Sequence, residues 1–206
     1  IAVTRGILLE LDNEAQLAAL LGHELGHVNA RHTASRMSKG VLVSAVMSGA
    51  GLALAGEEGY GALISGLGGI GAGALLAKYS RDNERQADDL GMEYMVRAGY
   101  NPQGMVGLMD MLQEKSTHTP SAFEQLFSSH PMSAARYTRM RQEAFSTHKD
   151  ALTGPFYRER YMDKTAGLRR IKPAIEAMQA GQKMMGEKRF GQAEQEFRKA
   201  LKIAPD

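Results

Sequence analysis

The chain has 206 residues, 43% of them hydrophobic and 23% charged, which is enough for one domain of ordinary size and a small extra module. A net charge of +2 is too small to argue for a nucleic-acid partner, whose footprint is a concentrated basic surface. Cysteine is absent, so any metal must be held by histidine and carboxylate, and the composition fits a compartment where thiols oxidise.

Residues 1–9 read as a strand. Ile1, Val3 and Thr4 are β-branched, and Gly6 marks a bulge or a close approach of another backbone. The abrupt apolar opening reads as a fragment, truncated at its amino end, so a missing signal peptide means little. Asp12 or Asn13 is suited to cap a helix that carries Glu14 in its first turn and continues to about Lys39. That helix contains His23-Glu24-Leu25-Gly26-His27, the pattern His-Glu-x-x-His. Positions four apart on a helix lie about 40° apart around its axis, so His23 and His27 can face one metal ion. Glu24 is rotated off the pair and is better placed to accept a proton from an attacking water than to bind metal. Gly26 costs about 1 kcal/mol of helix propensity relative to Ala, which suggests close packing beneath the site. His32 would lie about 140° from His27 on a continuous helix and so point elsewhere. A structural role, hydrogen bonding to neighbouring elements, suits it and Arg31.

A zinc site needs a third protein ligand and an open position. A second helix is expected over 80–98, where Glu84 and Asp88 sit one turn apart on one face. Glu84 could close the metal triad. Asp88 could accept the free ring N–H of a ligand histidine and fix its tautomer. The ordinary alternative for such carboxylates is a solvated helix face. Between the two helices, residues 41–56 and 60–77 are apolar and glycine-rich, but the first run is shorter than the roughly 20 residues of a membrane span and the second is borderline. A helical hairpin packed on the catalytic helices or touching a membrane surface is expected there. Gly99-Tyr100-Asn101-Pro102 ends the second helix, and 102–114 reads as an amphipathic helix whose Met105, Leu108, Met109, Met111 and Leu112 supply core. Pro131 favours extended backbone at His130. A loop histidine beside a zinc cleft could donate a hydrogen bond to an anionic intermediate or bind the metal as a fourth ligand. Arg136 could anchor that loop or steady negative charge.

These motifs, in order, carry a resemblance. Thr4-Arg5-Gly6, Asp12-Asn13-Glu14, His23-Glu24-Leu25-Gly26-His27-Val28 with Arg31-His32, Glu84-x-x-x-Asp88 and Ser129-His130-Pro131 resemble the gluzincin zinc endopeptidases of the HtpX, CAAX prenyl protease and BepA type, over roughly positions 1–145. The resemblance implies one zinc per chain on His23, His27 and Glu84, with Glu24 as base and His130 assisting or plugging the site. It implies Asp88 and Arg136 as supports. It also implies that the strand holding Val3, Thr4 and Gly6 edges a small sheet above the cleft, where an extended substrate would pair.

Beyond Lys149, Gly154-Pro155 marks a linker, and 156–172 is a charged helix or connector with Arg158, Arg160, Arg169, Arg170 and Lys172. From Ala174, the positions Gly181, Phe190, Ala193, Phe197, Ala200 and Pro205 have the spacing of one tetratricopeptide repeat. It is similar to the carboxy-terminal repeats of BepA-like proteins, which implies protein partners.

The expected architecture is therefore α+β, mainly α: a metallopeptidase domain over 1–150, a connector over 151–173 and a repeat-like helix pair over 174–206. The expected function is zinc-dependent endopeptidase in envelope quality control, periplasmic or associated with the outer membrane, acting on unfolded or misassembled proteins and binding no nucleic acid. The competing reading is a chaperone-like binding protein whose zinc site is latent, gated by His130.

Overall fold

A computed structural model describes residues 1, 3–38, 79–116 and 129–205. The apolar runs over 41–77 lie outside the described residues. The architecture is mainly helical, and no strand occurs among the described residues. Eight helices carry labels here: α1 (Arg5–Glu10), α2 (Glu14–Asn29), α3 (Arg81–Arg97), α4 (Gln103–Ser116), α5 (Ala134–Ser146), α6 (Arg158–Arg170), α7 (Lys172–Gly186) and α8 (Phe190–Ile203). Residues 32–38 are also helical. None of the described helices is long and apolar enough to cross a membrane.

The chain divides into two compact units, one of residues 15–156 with Ile1, the other of residues 2–14 with 157–206. In the first, α2 buries Ala15, Ala19, Leu20, Gly22, His23, Gly26 and His27. The facing helix α3 starts at a capping box, in which Ser80 Oγ accepts from the Asn83 amide and Asn83 Oδ1 accepts from the Ser80 amide. Its buried residues Glu84, Ala87, Asp88, Gly91, Met92 and Met95 recur at helical spacing and form one stripe. The helix ends at Gly99 in the left-handed region (φ 86°), a conformation glycine adopts without steric cost. Asn101, almost fully buried, then ties the next turn together: its Nδ2 donates to Leu152 O and Gly154 O, and its Oδ1 accepts from the Gln103 amide. Met105, Leu108, Met109 and Leu112 of α4 are buried as expected, and Met111 is half-buried.

The expected helix to Lys39 does not run unbroken. It stops at Asn29, and Arg31 takes a left-handed conformation (φ 53°) before residues 32–38 resume. The strand expected over 1–9 is not formed either. Residues 5–10 are α1, capped by Thr4, whose Oγ1 accepts from the Ile7 amide at 3.4 Å. Val3, Thr4 and Gly6 therefore do not form a sheet edge. The β-branched propensity is overridden by tertiary packing: Ile7, Leu9 and Leu11 are buried, and the carbonyls of Leu8, Leu9 and Leu11 accept from Tyr161 Oη, Arg169 Nη1 and Arg169 Nη2.

Those bonds belong to the second unit. Around them, Arg158 pairs with Asp12, Arg160 with Glu14, and Lys172 with Glu10. The charged stretch expected as a helix or connector holds helix α6, docked on α1 through its arginines and the buried Tyr161. Helices α7 and α8 pack against each other, turning at Lys188 (φ 60°). At Gly181 a Cβ would meet the Phe197 ring at 2.5 Å, so only glycine admits that ring.

Candidate metal centre

Two helices meet without side chains between them. A Cβ on Gly22 would stand 2.8 Å from Gly91 O, and one on Gly26 would stand 2.9 Å from Ala87 O. The close packing expected beneath Gly26 is present. This contact brings the buried face of α2, with His23 and His27, against the stripe of α3 that carries Glu84 and Asp88. The loop before α5 adds His130, and α5 adds Arg136.

One donor atom from each of His23, His27, Glu84 and His130 falls within a 4.8 Å group. His23 Nε2 and His27 Nε2 are 3.1 Å apart. Glu84 Oε1 is 3.2 Å from His27 Nε2 and 3.0 Å from His130 Nδ1. Glu84 Oε2 is 3.6 Å from His23 Nε2, and His23 Nε2 is 3.3 Å from His130 Nδ1. A tetrahedral zinc with bonds of about 2.0–2.1 Å separates its donor atoms by about 3.3 Å, so these separations are those of a ligand shell.

Hydrogen bonding behind the rings supports the same reading. His23 Nδ1 lies 3.0 Å from Asp88 Oδ1, and that acceptor fixes the proton on Nδ1. His32 Nε2 lies 3.0 Å from Gln86 Oε1, which places its proton there and leaves His32 Nδ1 to accept from His27 Nδ1, 3.0 Å away. Both Nε2 atoms then carry lone pairs and face each other. Two acceptors 3.1 Å apart in a buried site repel unless a cation lies between them, so the donor set fits a divalent metal.

Burial would push the Glu84 carboxyl up, but the neighbouring His130, His27 and His23 rings outweigh it and hold the group far below the usual carboxylate range. Asp88 is likewise raised by burial and lowered, on balance, by Arg136 and His23. Burial is the main cause that draws His27 below its ordinary value, against the pull of the neighbouring Glu84 carboxylate, and this keeps the imidazole neutral as a ligand must be. Arg136 forms a two-pronged bond to Asp88, Nε to Oδ2 at 2.8 Å and Nη2 to Oδ1 at 2.7 Å. Its Nη1 donates to Pro131 O and stands 2.8 Å from Glu84 Oε2. It therefore anchors the His130 loop and also balances the carboxylates. Glu24 stays outside the four-atom group, its Oε1 3.6 Å from His130 Nε2, and is partly exposed.

Three neighbours escaped sequence reasoning. His32 does not point away; it buttresses His27. Gln86 sets the proton of His32, and two positions after Glu84 a helix turns it about 200° away, so no local pattern marked it. The Tyr79 ring lies 4.0 Å from that of His27, and its hydroxyl is 2.7 Å from Thr33 Oγ1. Val3, Thr4 and Gly6 belong to the second unit and are not among the residues gathered at this centre.

The comparisons with known proteins agree with this geometry. The model of peptidase family M48 matches residues 1–144. Metalloprotease YcaL of Escherichia coli is 32% identical over 141 residues, covering 68% of this chain and 53% of that protein. The β-barrel assembly-enhancing protease of Yersinia pestis is 31% identical over 145 residues, covering 65% of this chain and 28% of that protein. A protease HtpX homologue of Desulfatibacillum aliphaticivorans is 31% identical over 172 residues, covering 72% and 51%. The chain spans about half the length of the first of these relatives and little more than a quarter of the second. No solved structure matches. With the family model covering more than half of its residues, the chain belongs to peptidase family M48.

Proposed function

We propose that the chain is a zinc-dependent endopeptidase that cuts unfolded or misassembled proteins in the cell envelope. The observation that carries the reading is the shell of buried donors from His23, His27, Glu84 and His130, with a partly exposed carboxylate, Glu24, beside it. Zinc, when bound, supplies Lewis acidity toward a scissile carbonyl and its attacking water. His23, His27 and Glu84 would hold it. Glu24 accepts the proton of the attacking water at its carboxylate and returns it to the leaving amine nitrogen. Asp88, Arg136, His32 and Gln86 keep the donor atoms oriented. His130 Nδ1 lies 3.3 Å from His23 Nε2 and 3.0 Å from Glu84 Oε1, so it could serve as a fourth donor, which supports a resting arrangement in which the loop must withdraw before a substrate carbonyl enters.

An envelope location accords with relatives named for β-barrel assembly and with a cysteine-free sequence. The helix pair α7–α8 is proposed as one tetratricopeptide-type unit that receives protein partners. The Glu24→Gln chain tests the central claim. It should retain one zinc by metal analysis and lose cleavage of casein. Cleavage at the parent rate would sink the role given to Glu24.

A further inference from the structure

Beside the metal cluster lies a cleft of about 460 Å³. Arg81, Arg85, Arg136 and Arg139 line it, over a floor that includes Pro131 and Met132. Glu84 is its one carboxylate and is shared with the cluster. Two of the arginines are already engaged. Arg136 holds Asp88 and Glu84, and Arg139 pairs with Asp89 and donates to Arg85 O. Arg81 and Arg85 are exposed, one helical turn apart at the start of α3, and no carboxylate among the described residues pairs with them. The cleft thus carries two uncompensated positive charges next to the reaction centre.

We infer that this cleft is a substrate subsite that takes an aspartate or glutamate side chain of the bound peptide, with Arg81 and Arg85 as its specificity determinants. The inference rests on the peptidase reading and names the substrate class of that same site. Volume, charge and position support it together. The cleft is large enough for several side chains, its four arginines outnumber its one carboxylate, and Glu84 belongs to both the cleft and the metal cluster, so a peptide placed at the cluster has this cleft as its neighbour. Guanidinium groups bind carboxylates through paired hydrogen bonds, and the apolar floor suits the methylene stem of glutamate.

Binding tests the inference without turnover. Two fluorescein-labelled peptides of equal length, one with an Asp/Glu core and one with the matching Asn/Gln core, are titrated against the full Glu24→Gln chain by anisotropy. The acidic peptide should bind about tenfold tighter, the gain expected of one or two partly shielded charge-assisted pairs. In an Arg81→Ser/Arg85→Ser background, checked for parent-like helicity and melting, the preference should vanish while the neutral peptide binds as before. Equal affinities in the parent chain, or an equal loss for both peptides in the double variant, would overturn the subsite. So would the arginines serving only anionic phosphatidylglycerol vesicles, with no peptide preference. A charge preference in binding without hydrolysis by the chain bearing Glu24 would retain the subsite and reject the peptidase reading instead.

Discussion

Gly22 of α2 and Gly91 of α3 touch backbone to backbone: a Cβ on Gly91 would stand 2.7 Å from the His23 amide nitrogen. The approach of the two helices fixes how far the imidazole pair lies from Glu84, so space and metal binding are linked at one contact. Gly91→Ala should cost about 1–3 kcal/mol through overpacking, lowering the melting temperature by roughly 3–10 °C in a chain of this size. It should also weaken zinc in a chelator competition. Gly191→Ala, where a Cβ meets nothing within 4 Å, should do neither. Parent-like metal affinity in Gly91→Ala would detach the site from the helix contact.

His32 bears on the metal through His27. Its replacement by Ala removes the acceptor that holds the His27 proton on Nδ1. Zinc affinity should fall about 10–100-fold, the usual effect of losing such a partner, with helical content unchanged by circular dichroism. Gln86→Ala acts one step further out and should fall less. An unchanged affinity in His32→Ala would show that the His27 tautomer needs no buttress.

Arg136 links acid stability to the site. Asp88 is held below its ordinary value, so its contribution is fully present above the unfolded value near 3.8 and is lost as pH falls through the lower folded value. In Arg136→Met that buried carboxylate loses its partner. Chemical unfolding should then show a deficit of about 3–5 kcal/mol at pH 7. The deficit should shrink on acidification, because a protonated Asp88 no longer needs the guanidinium. A deficit independent of pH would mean that Arg136 acts by packing alone.

His130 should restrain turnover. Its Nδ1 lies 3.0 Å from Glu84 Oε1, within the donor group proposed to hold the metal. His130→Ala should raise casein hydrolysis several-fold and keep bound zinc. Loss of activity would make the histidine a participant in the reaction and remove the resting arrangement.

The centre was legible in the sequence where it depends on helical spacing alone. His23 with His27, and Glu84 with Asp88, are four residues apart, and a helix puts each pair on one face whatever the rest of the chain does. The glycine at 26 signalled the close approach for the same reason. What stayed hidden depends on single backbone angles or distant partners. Arg31 in the left-handed region ends the helical phase, so the angle of about 140° that sent His32 away no longer applies. Residues 1–9 have a strand-like composition, yet the carbonyl partners that select a helix come from Tyr161 and Arg169, more than 150 positions on. No local pattern reports such a partner.

The Arg169 guanidinium grips the carbonyls of Leu9 and Leu11, 160 and 158 positions before it. A variant lacking residues 5–11 should therefore show its damage within residues 157–205 first. The deletion would strip Tyr161 and Arg169 of their acceptors and leave a sticky, half-dressed helix there. Removing α6 would undo α1 in the same way. The two segments stand or fall together.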